Sequence, residues 1–305
     1  MSSEKYCAAL LKNAESILEK RGLRLPTKVP TPMRHGYKPE LDVTAELKAE
    51  GVKFYQELIG QLRWAIELGR VDILHEVSIM SSHLAMPREG HLEQIYHLLG
   101  YLKAHKKMRI CFDGMYPHVD ERQFTRYDWE DFYRGVEEAI PPNMPETRGL
   151  DVIITCFVDA NHAGNVKDRR SQTGILMFVN KAPIIWYSKR QSTVEVSTFG
   201  AEFCAMKIAV EMTEALRYKL RMFGVPIDGA TNVYCDNEAV TKNVTVPESV
   251  LKRKHHSIAY HRCREAVAAG TIRVAKQGTL KNLADLFTKV LTAARRRFLL
   301  DRFTY

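Results

Sequence analysis

The chain is predicted to be α/β: a mixed five-stranded sheet flanked by helices and preceded by a smaller, mainly helical unit. Three observations predict it. Apolar residues recur at helical spacing through the first hundred positions, short β-type runs appear only after residue 150, and a proline-dense stretch separates the two textures. With 305 residues, 45% hydrophobic and 27% charged, the chain has the composition of a folded protein, and its length favours two structural units. No apolar run approaches the roughly 18 residues that a spanning helix needs, so no membrane partner is expected. The opening residues lead into a charge-dotted helical pattern rather than a signal peptide, and an intracellular protein is expected.

Residues 1–50 begin with one amphipathic helix (Leu10, Leu11, Ala14, Ile17, Leu18) that stops at Gly22, followed by a connector carrying Pro26, Pro30, Pro32 and Pro39. Residues 51–126 carry three apolar stripes: Phe54, Leu58, Leu62, Ala65; Ile73, Val77, Met80, Leu84; and Leu92, Ile95, Leu99, Leu102. They read as a small helical unit. Residues 127–150 turn acidic and then proline-rich, with Pro141, Pro142 and Pro145, the composition of a linker. In residues 151–290, β-type runs at 152–158, 173–179 and 184–187 precede a long helix (Ala201, Ala205, Ile208, Met212, Leu216) that Gly224 and Pro226 end. A strand at 233–235, a short helix from Asn237, a helix over 255–269, a strand at 271–275 and a final helix over 280–288 complete the order βββαβααβα. Residues 291–305 read as a basic tail. Trp64, Trp129 and Trp186 read as core or semi-buried anchors.

The charge is uneven. Residues 1–150 carry 21 Lys+Arg against 22 Asp+Glu, and residues 151–305 carry 24 against 14, so the net +9 belongs to the second half. A polyanionic partner is implied for that half. The six cysteines form no C-x-x-C pair and read as reduced, mostly buried thiols. Of the eleven histidines, His255, His256 and His261 with Cys263 form the densest group, but their spacing favours packing or hydrogen bonding over zinc. Lys252-Arg253-Lys254 and Arg295-Arg296-Arg297 suit phosphate contact or a nuclear signal, set against an ordinary solvated charge run. No G-x-S-x-G elbow supports Ser-His-Asp catalysis.

Four acidic residues stand where packing does not call for acid. Asp159 follows Cys156-Phe157-Val158, and Asp236 follows Val233-Tyr234-Cys235; Glu202 lies in the first turns of the long helix, and Asp285 within Leu283-Ala284-Asp285-Leu286. Each has a bland role open to it: a cap for Asp159 and Asp236, dipole complementation for Glu202, an exposed helix position for Asp285. Were the two strands adjacent and parallel, Asp159 and Asp236 would emerge together at the carboxyl edge, where α/β active sites form. Clustered carboxylates repel one another unless hard cations neutralise them, and paired Mg²⁺ ions at such a site cleave phosphodiesters.

The segment Phe157-Val158-Asp159-Ala160-Asn161-His162-Ala163-Gly164, with Asp168-Arg169-Arg170-Ser171-Gln172-Thr173-Gly174, resembles the opening signature of the RNase H domain of copia-type LTR retrotransposons. The resemblance continues through Trp186-Tyr187-Ser188-Lys189-Arg190-Gln191-Ser192-Thr193-Val194, residues 197–205, Tyr234-Cys235-Asp236-Asn237, Tyr260-His261, Arg264-Glu265 and Leu283-Ala284-Asp285-Leu286-Phe287-Thr288-Lys289. Upstream, Tyr55-Gln56-Glu57-Leu58-Ile59-Gly60-Gln61-Leu62-Arg63-Trp64, Arg70-Val71-Asp72-Ile73, His91 and Tyr101-Leu102-Lys103 look like the reverse-transcriptase connection segment of the same polyproteins, with residues 1–50 as the end of a thumb-like region.

That resemblance implies an RNase H-like fold and a Mg²⁺-dependent endoribonuclease acting on the RNA strand of RNA·DNA hybrids. It implies Asp159, Glu202, Asp236 and Asp285 as catalytic ligands of two Mg²⁺ ions, with Mn²⁺ as a substitute, and Lys189, Arg190, Gln191 and Asn237 as nucleic-acid contacts. The remainder of a retrotransposon polyprotein is the other implied partner, and a cytoplasmic particle or the nucleus the implied location. Asn161, His162, Gly200, Ser257 and Val290 depart from the family pattern, and none of these removes a metal ligand. The Y-x-D-D turn of the polymerase palm does not occur, so autonomous DNA synthesis is not expected. The alternative is a catalytically silent nucleic-acid-binding remnant of such an element. An integrase fits less well, because its Glu follows the second Asp, whereas Glu202 precedes Asp236.

Overall fold

The computed structural model describes residues 3–304, so the first two residues of the N-terminal unit and the last of the basic tail lie outside it. Four helices, α1 (Glu4–Lys20), α2 (Ala49–Glu67), α3 (Leu74–Met80) and α4 (Glu89–Ala104), form the N-terminal unit. Their apolar stripes meet in one core that includes Leu18, Met33, Tyr55, Leu62, Ile95 and Leu102. Trp64 departs from expectation: it lies on the outer face of α2 with 55% of its surface exposed, because the inward positions of that turn are taken by Leu62, Ala65 and Ile66.

Residues 105–150 hold no strand and only a short 3₁₀ turn, Glu121–Gln123. The acidic character of this stretch is spent on the sheet unit: Glu138 accepts from Arg217 at 2.6 Å and also pairs with Arg221. Trp129 and Tyr133 lie over the guanidinium of Arg264, which is itself fixed by the carbonyls of Asn243 and Val246.

Five strands follow: β1 (Ile154–Asn161), β2 (Gln172–Val179), β3 (Ala182–Arg190), β4 (Thr231–Cys235) and β5 (Ile272–Lys276). They lie in the order β3-β2-β1-β4-β5, antiparallel across β1, β2 and β3 and parallel across β1, β4 and β5. This is the RNase H-like mixed sheet that the resemblance implies. Helix α5 (Thr198–Met222) crosses one face with α7 (Ser257–Ala268), while α6 (Glu238–Thr245) packs at the edge; Cys156, Val158, Phe203, Ala209 and Val233 form the core between them. Ser197 caps α5 by accepting from the Gly200 N–H, and Gly224 ends it with φ near +70°.

The opposite face is covered by a second core containing Leu176, Phe178, Leu286, Phe287 and Leu299. Here two expectations are corrected. The last helix over 280–288 is instead a pair of short 3₁₀ turns, Thr279–Lys281 and Leu283–Phe287, because Asn282 interrupts it: its side chain accepts from the Ala284 N–H and donates to the Val158 carbonyl at 2.9 Å. The basic run at 295–297 is not a solvated tail but part of helix α8 (Ala293–Leu300), in which buried Arg296 reaches Glu76 of α3 and the Asp72 carbonyl. That ion pair joins the N-terminal unit to the sheet unit. Ser78 of α3 adds a 2.8 Å bond to the Ser188 carbonyl of β3.

Candidate metal centre

The register between β1 and β4 positions the site. Val158 lies beside Cys235, so the residues that follow, Asp159 and Asp236, emerge next to each other at the carboxyl edge of two parallel strands. Neither is consumed as a cap: Asn237, not Asp236, caps α6 by accepting from the Val240 N–H. Asp285 arrives from the 3₁₀ turn behind β1, buried with 4% exposure rather than on an open helix face. Carboxylate oxygens of Asp159, Asp236 and Asp285 all lie within 4.8 Å of one another. Glu202, in the second turn of α5, joins from the other side, with an oxygen in a second group of the same tightness shared with Asp236 and the Cys235 thiol.

Burial raises the affinity of the Glu202 carboxyl for its proton, and the charges of Asp159 and Asp236 raise it further. One oxygen of Glu202, Oε2, is buried without a hydrogen-bond partner. Asp159, wholly buried, is also pushed up by burial, although Lys289 and the Thr288 hydroxyl oppose this. Asp236 shifts the same way, again first by burial. Cys235, fully buried, stays a thiol.

Two cations that the motifs contain but did not assign to the site answer this charge. Lys289 lies 3.2 Å from Asp159 and 2.5 Å from Asp285, and Arg295 donates to Asp285 at 2.9 Å. Thr288 donates its hydroxyl to Asp159. The i, i+4 spacing of Asp285 and Lys289 was the available sequence signal for the first cation; nothing local signals Arg295.

The expected nucleic-acid contacts fall into different surroundings. Lys189 is exposed at the end of β3, while Arg190 is half-buried and paired with Asp168 at 2.9 Å. Gln191 is corrected: it is 6% exposed, and its amide donates to Thr173 and to the Ala201 carbonyl, tying β2 to the start of α5 instead of facing solvent. Asn237 is occupied as the α6 cap. The histidines do not gather as a zinc group with Cys263: His261 bonds the Tyr133 hydroxyl at 2.6 Å, and Cys263 lies in the core beneath α7.

The donors at the centre are carboxylate oxygens, one of them orphaned and buried, which is the chemistry that a hard divalent cation requires. The strand order with this edge cluster defines an RNase H-like unit. Over 95% of its length the chain is 28% identical to the retrovirus-related Pol polyprotein from transposon TNT 1-94 of Nicotiana tabacum, and over 96% it is 25% identical to that from transposon RE1 of Arabidopsis thaliana. It thus resembles copia-type transposon Pol polyproteins, as its motifs imply, and it spans 19% and 17% of those two relatives. Among solved structures it is similar to the N-terminal RNase H domain of a Mycobacterium tuberculosis protein fused to maltose-binding protein (TM-score 0.36, 12% identity, 48% of this chain and 99% of that one). It is also similar to a foamy viral protease-reverse transcriptase in complex with RNA/DNA hybrid (TM-score 0.33, 16% identity, 69% and 27%). No protein-family model matches the chain.

Proposed function

We propose that the chain is a ribonuclease H that hydrolyses the RNA strand of RNA·DNA hybrids, within a copia-type Pol polyprotein. The observation that carries this reading is the convergence of Asp159, Asp236 and Asp285 within 4.8 Å, in the half of the chain with ten excess positive charges (24 against 14). In this reading Asp159, Glu202, Asp236 and Asp285 would hold two Mg²⁺ ions. When bound, such ions activate water and stabilise charge on the departing oxygen.

The chain's own residues do the rest. Lys289 and Arg295 hold the Asp285 carboxylate in place, and Thr288 orients Asp159. Glu202 would have to give up its proton to hold such an ion, since burial and its acidic neighbours favour the protonated form. Lys189 offers an exposed ammonium to the phosphate backbone, and the sequence-independent part of that affinity falls steeply with salt. Residues 151–290 are the nuclease unit and residues 51–126 the connection unit that guides the hybrid, working where such hybrids occur, in a cytoplasmic particle or the nucleus.

The test is cleavage of an end-labelled hybrid in Mg²⁺, with Asp236→Asn as control. The wild type cuts the RNA strand and leaves the DNA strand and double-stranded DNA intact; the variant loses at least a hundredfold in rate. A wild-type protein as inert as the variant, yet retaining hybrid in a salt-dependent binding assay, would leave only the silent binding module.

A further inference from the structure

We propose that Glu195, Cys204 and His256 form a second metal site, chemically distinct from the carboxylate centre and suited to zinc. Glu195 lies in the loop between β3 and α5, Cys204 in the second turn of α5, and His256 in the 3₁₀ turn Lys254–His256 that leads into α7. One ligand atom from each lies within 4.8 Å of the other two. The Cys204 sulfur is 3.3 Å from one Glu195 oxygen, and His256 Nε2 is 3.6 Å from the other. Zinc bonds of about 2.0–2.3 Å in a tetrahedral shell separate neighbouring ligand atoms by about 3.4–3.6 Å. The two spacings, one to each oxygen of the Glu195 carboxylate, are close to such an edge; the Cys204 thiol lies within hydrogen-bond reach of Glu195, whereas 3.6 Å at His256 is too long for a hydrogen bond.

A second, independent observation points the same way. His256 is buried, its side chain 2% exposed, and its Nε2 has no hydrogen-bond partner. An imidazole nitrogen buried beside a carboxylate and left without a hydrogen bond is, in the tautomer protonated on Nδ1, a free lone pair for a cation. Space has been made for this arrangement: a Cβ at Gly200 would come within 2.6 Å of Glu195 Oε2 and 2.8 Å of His256 Nε2. With glycine at position 200, the room that a side chain would fill goes to the Glu195 carboxylate and the imidazole. The surrounding shell is ordered too, since Thr193 donates to Glu195 at 3.1 Å and His162 bonds the Glu195 carbonyl at 2.9 Å.

Thiolate, imidazole and carboxylate together select zinc over magnesium, and three protein ligands leave a fourth position for water. The site would pin the N-terminal end of α5, the helix that carries Glu202, to the turn before α7. It does not depend on the nuclease reading.

The experiment uses the full chain, stripped with a chelator and titrated with Co²⁺ and then Zn²⁺ in excess Mg²⁺. The expected result is one equivalent of Co²⁺ giving tetrahedral d–d bands and a thiolate charge-transfer band, displaced by Zn²⁺. Cys204→Ser should abolish the charge-transfer band, and His256→Gln should weaken Co²⁺ binding at least tenfold. Asp236→Asn should leave both unchanged. Circular dichroism identifies any variant that has not folded, and Glu195→Gln, which keeps the shape of the side chain, then stands in for it with the same expected loss. A wild-type spectrum without a thiolate band, or a band that survives Cys204→Ser, would overturn the site.

Discussion

Replacing Gly174 with Ala tests how closely the 3₁₀ turn Leu283–Phe287 must approach the sheet for the carboxylates to meet. Gly174 lies opposite Asp159 in the β1–β2 ladder. A Cβ there would sit 2.6 Å from Thr288 Cγ2, 2.8 Å from the Ala284 carbonyl oxygen and 3.0 Å from Phe287 Cβ. Carbon atoms in contact rest at about 3.5–4.0 Å, so the turn must retreat by about 1 Å. Rotating Thr288 away is no escape, because its hydroxyl is committed to Asp159, and a backbone carbonyl has no rotamer. Overpacking of this kind costs about 1–3 kcal/mol. The retreat carries Asp285 and Thr288 away from Asp159, and a displacement of about 1 Å at a reacting centre can cost on the order of a hundredfold in rate. Urea unfolding and hybrid cleavage, measured on the same preparation, read the two effects. Gly60→Ala is the control: nothing lies within 4 Å of its Cβ, and in the exposed middle of α2 the change should stabilise by about 1 kcal/mol. A Gly174→Ala protein with unchanged midpoint and unchanged rate would refute the close-approach argument.

Arg296→Met leaves the Glu76 carboxylate buried without its cation and should cost about 3–5 kcal/mol, while the double variant with Glu76→Leu should recover most of that loss. Chemical denaturation of the two proteins checks it; a double variant no more stable than the single would mean the pair is not what joins the two units. The pH dependence follows from Asp159, Glu202 and Asp236, each held above its ordinary range, first by burial. A pKa higher in the folded state than in the unfolded one gives stability that is complete below the ordinary carboxylate range and lost as pH rises through the raised values. The melting temperature in chelator should therefore fall from mildly acidic to alkaline pH, and Mg²⁺ should flatten that fall; parallel curves with and without Mg²⁺ would show that the cluster binds no ion.

Much of the sheet unit was legible because its signals are local. The runs that became β1, β2 and β4 are short and apolar, and the α5 stripe ends where a left-handed glycine must sit. Asp159 and Asp236 stood out because acids terminating apolar strands have few packing reasons to be there. What escaped was decided by distant partners. Arg296 reads as one of three surface arginines until Glu76, 220 residues away, is brought against it. Gln191 reads as a strand-end polar group until the start of α5 closes over it. The helix expected over 280–288 failed at Asn282, whose side chain bonds strand β1 and starts a new turn. The Glu195, Cys204 and His256 group draws on three separate segments, so the eye falls first on the denser but scattered histidines near Cys263.

The ammonium of Lys289, shared between Asp159 and Asp285, has a consequence for how such a protein comes into being. A knot of like charges ordinarily makes assembly wait for its counter-ions, as zinc fingers wait for zinc. Here the tether is covalent and travels with the polypeptide. Under the proposed reading, folding and metal loading would then be separable events, the first needing no ion to offset Asp159 and Asp285.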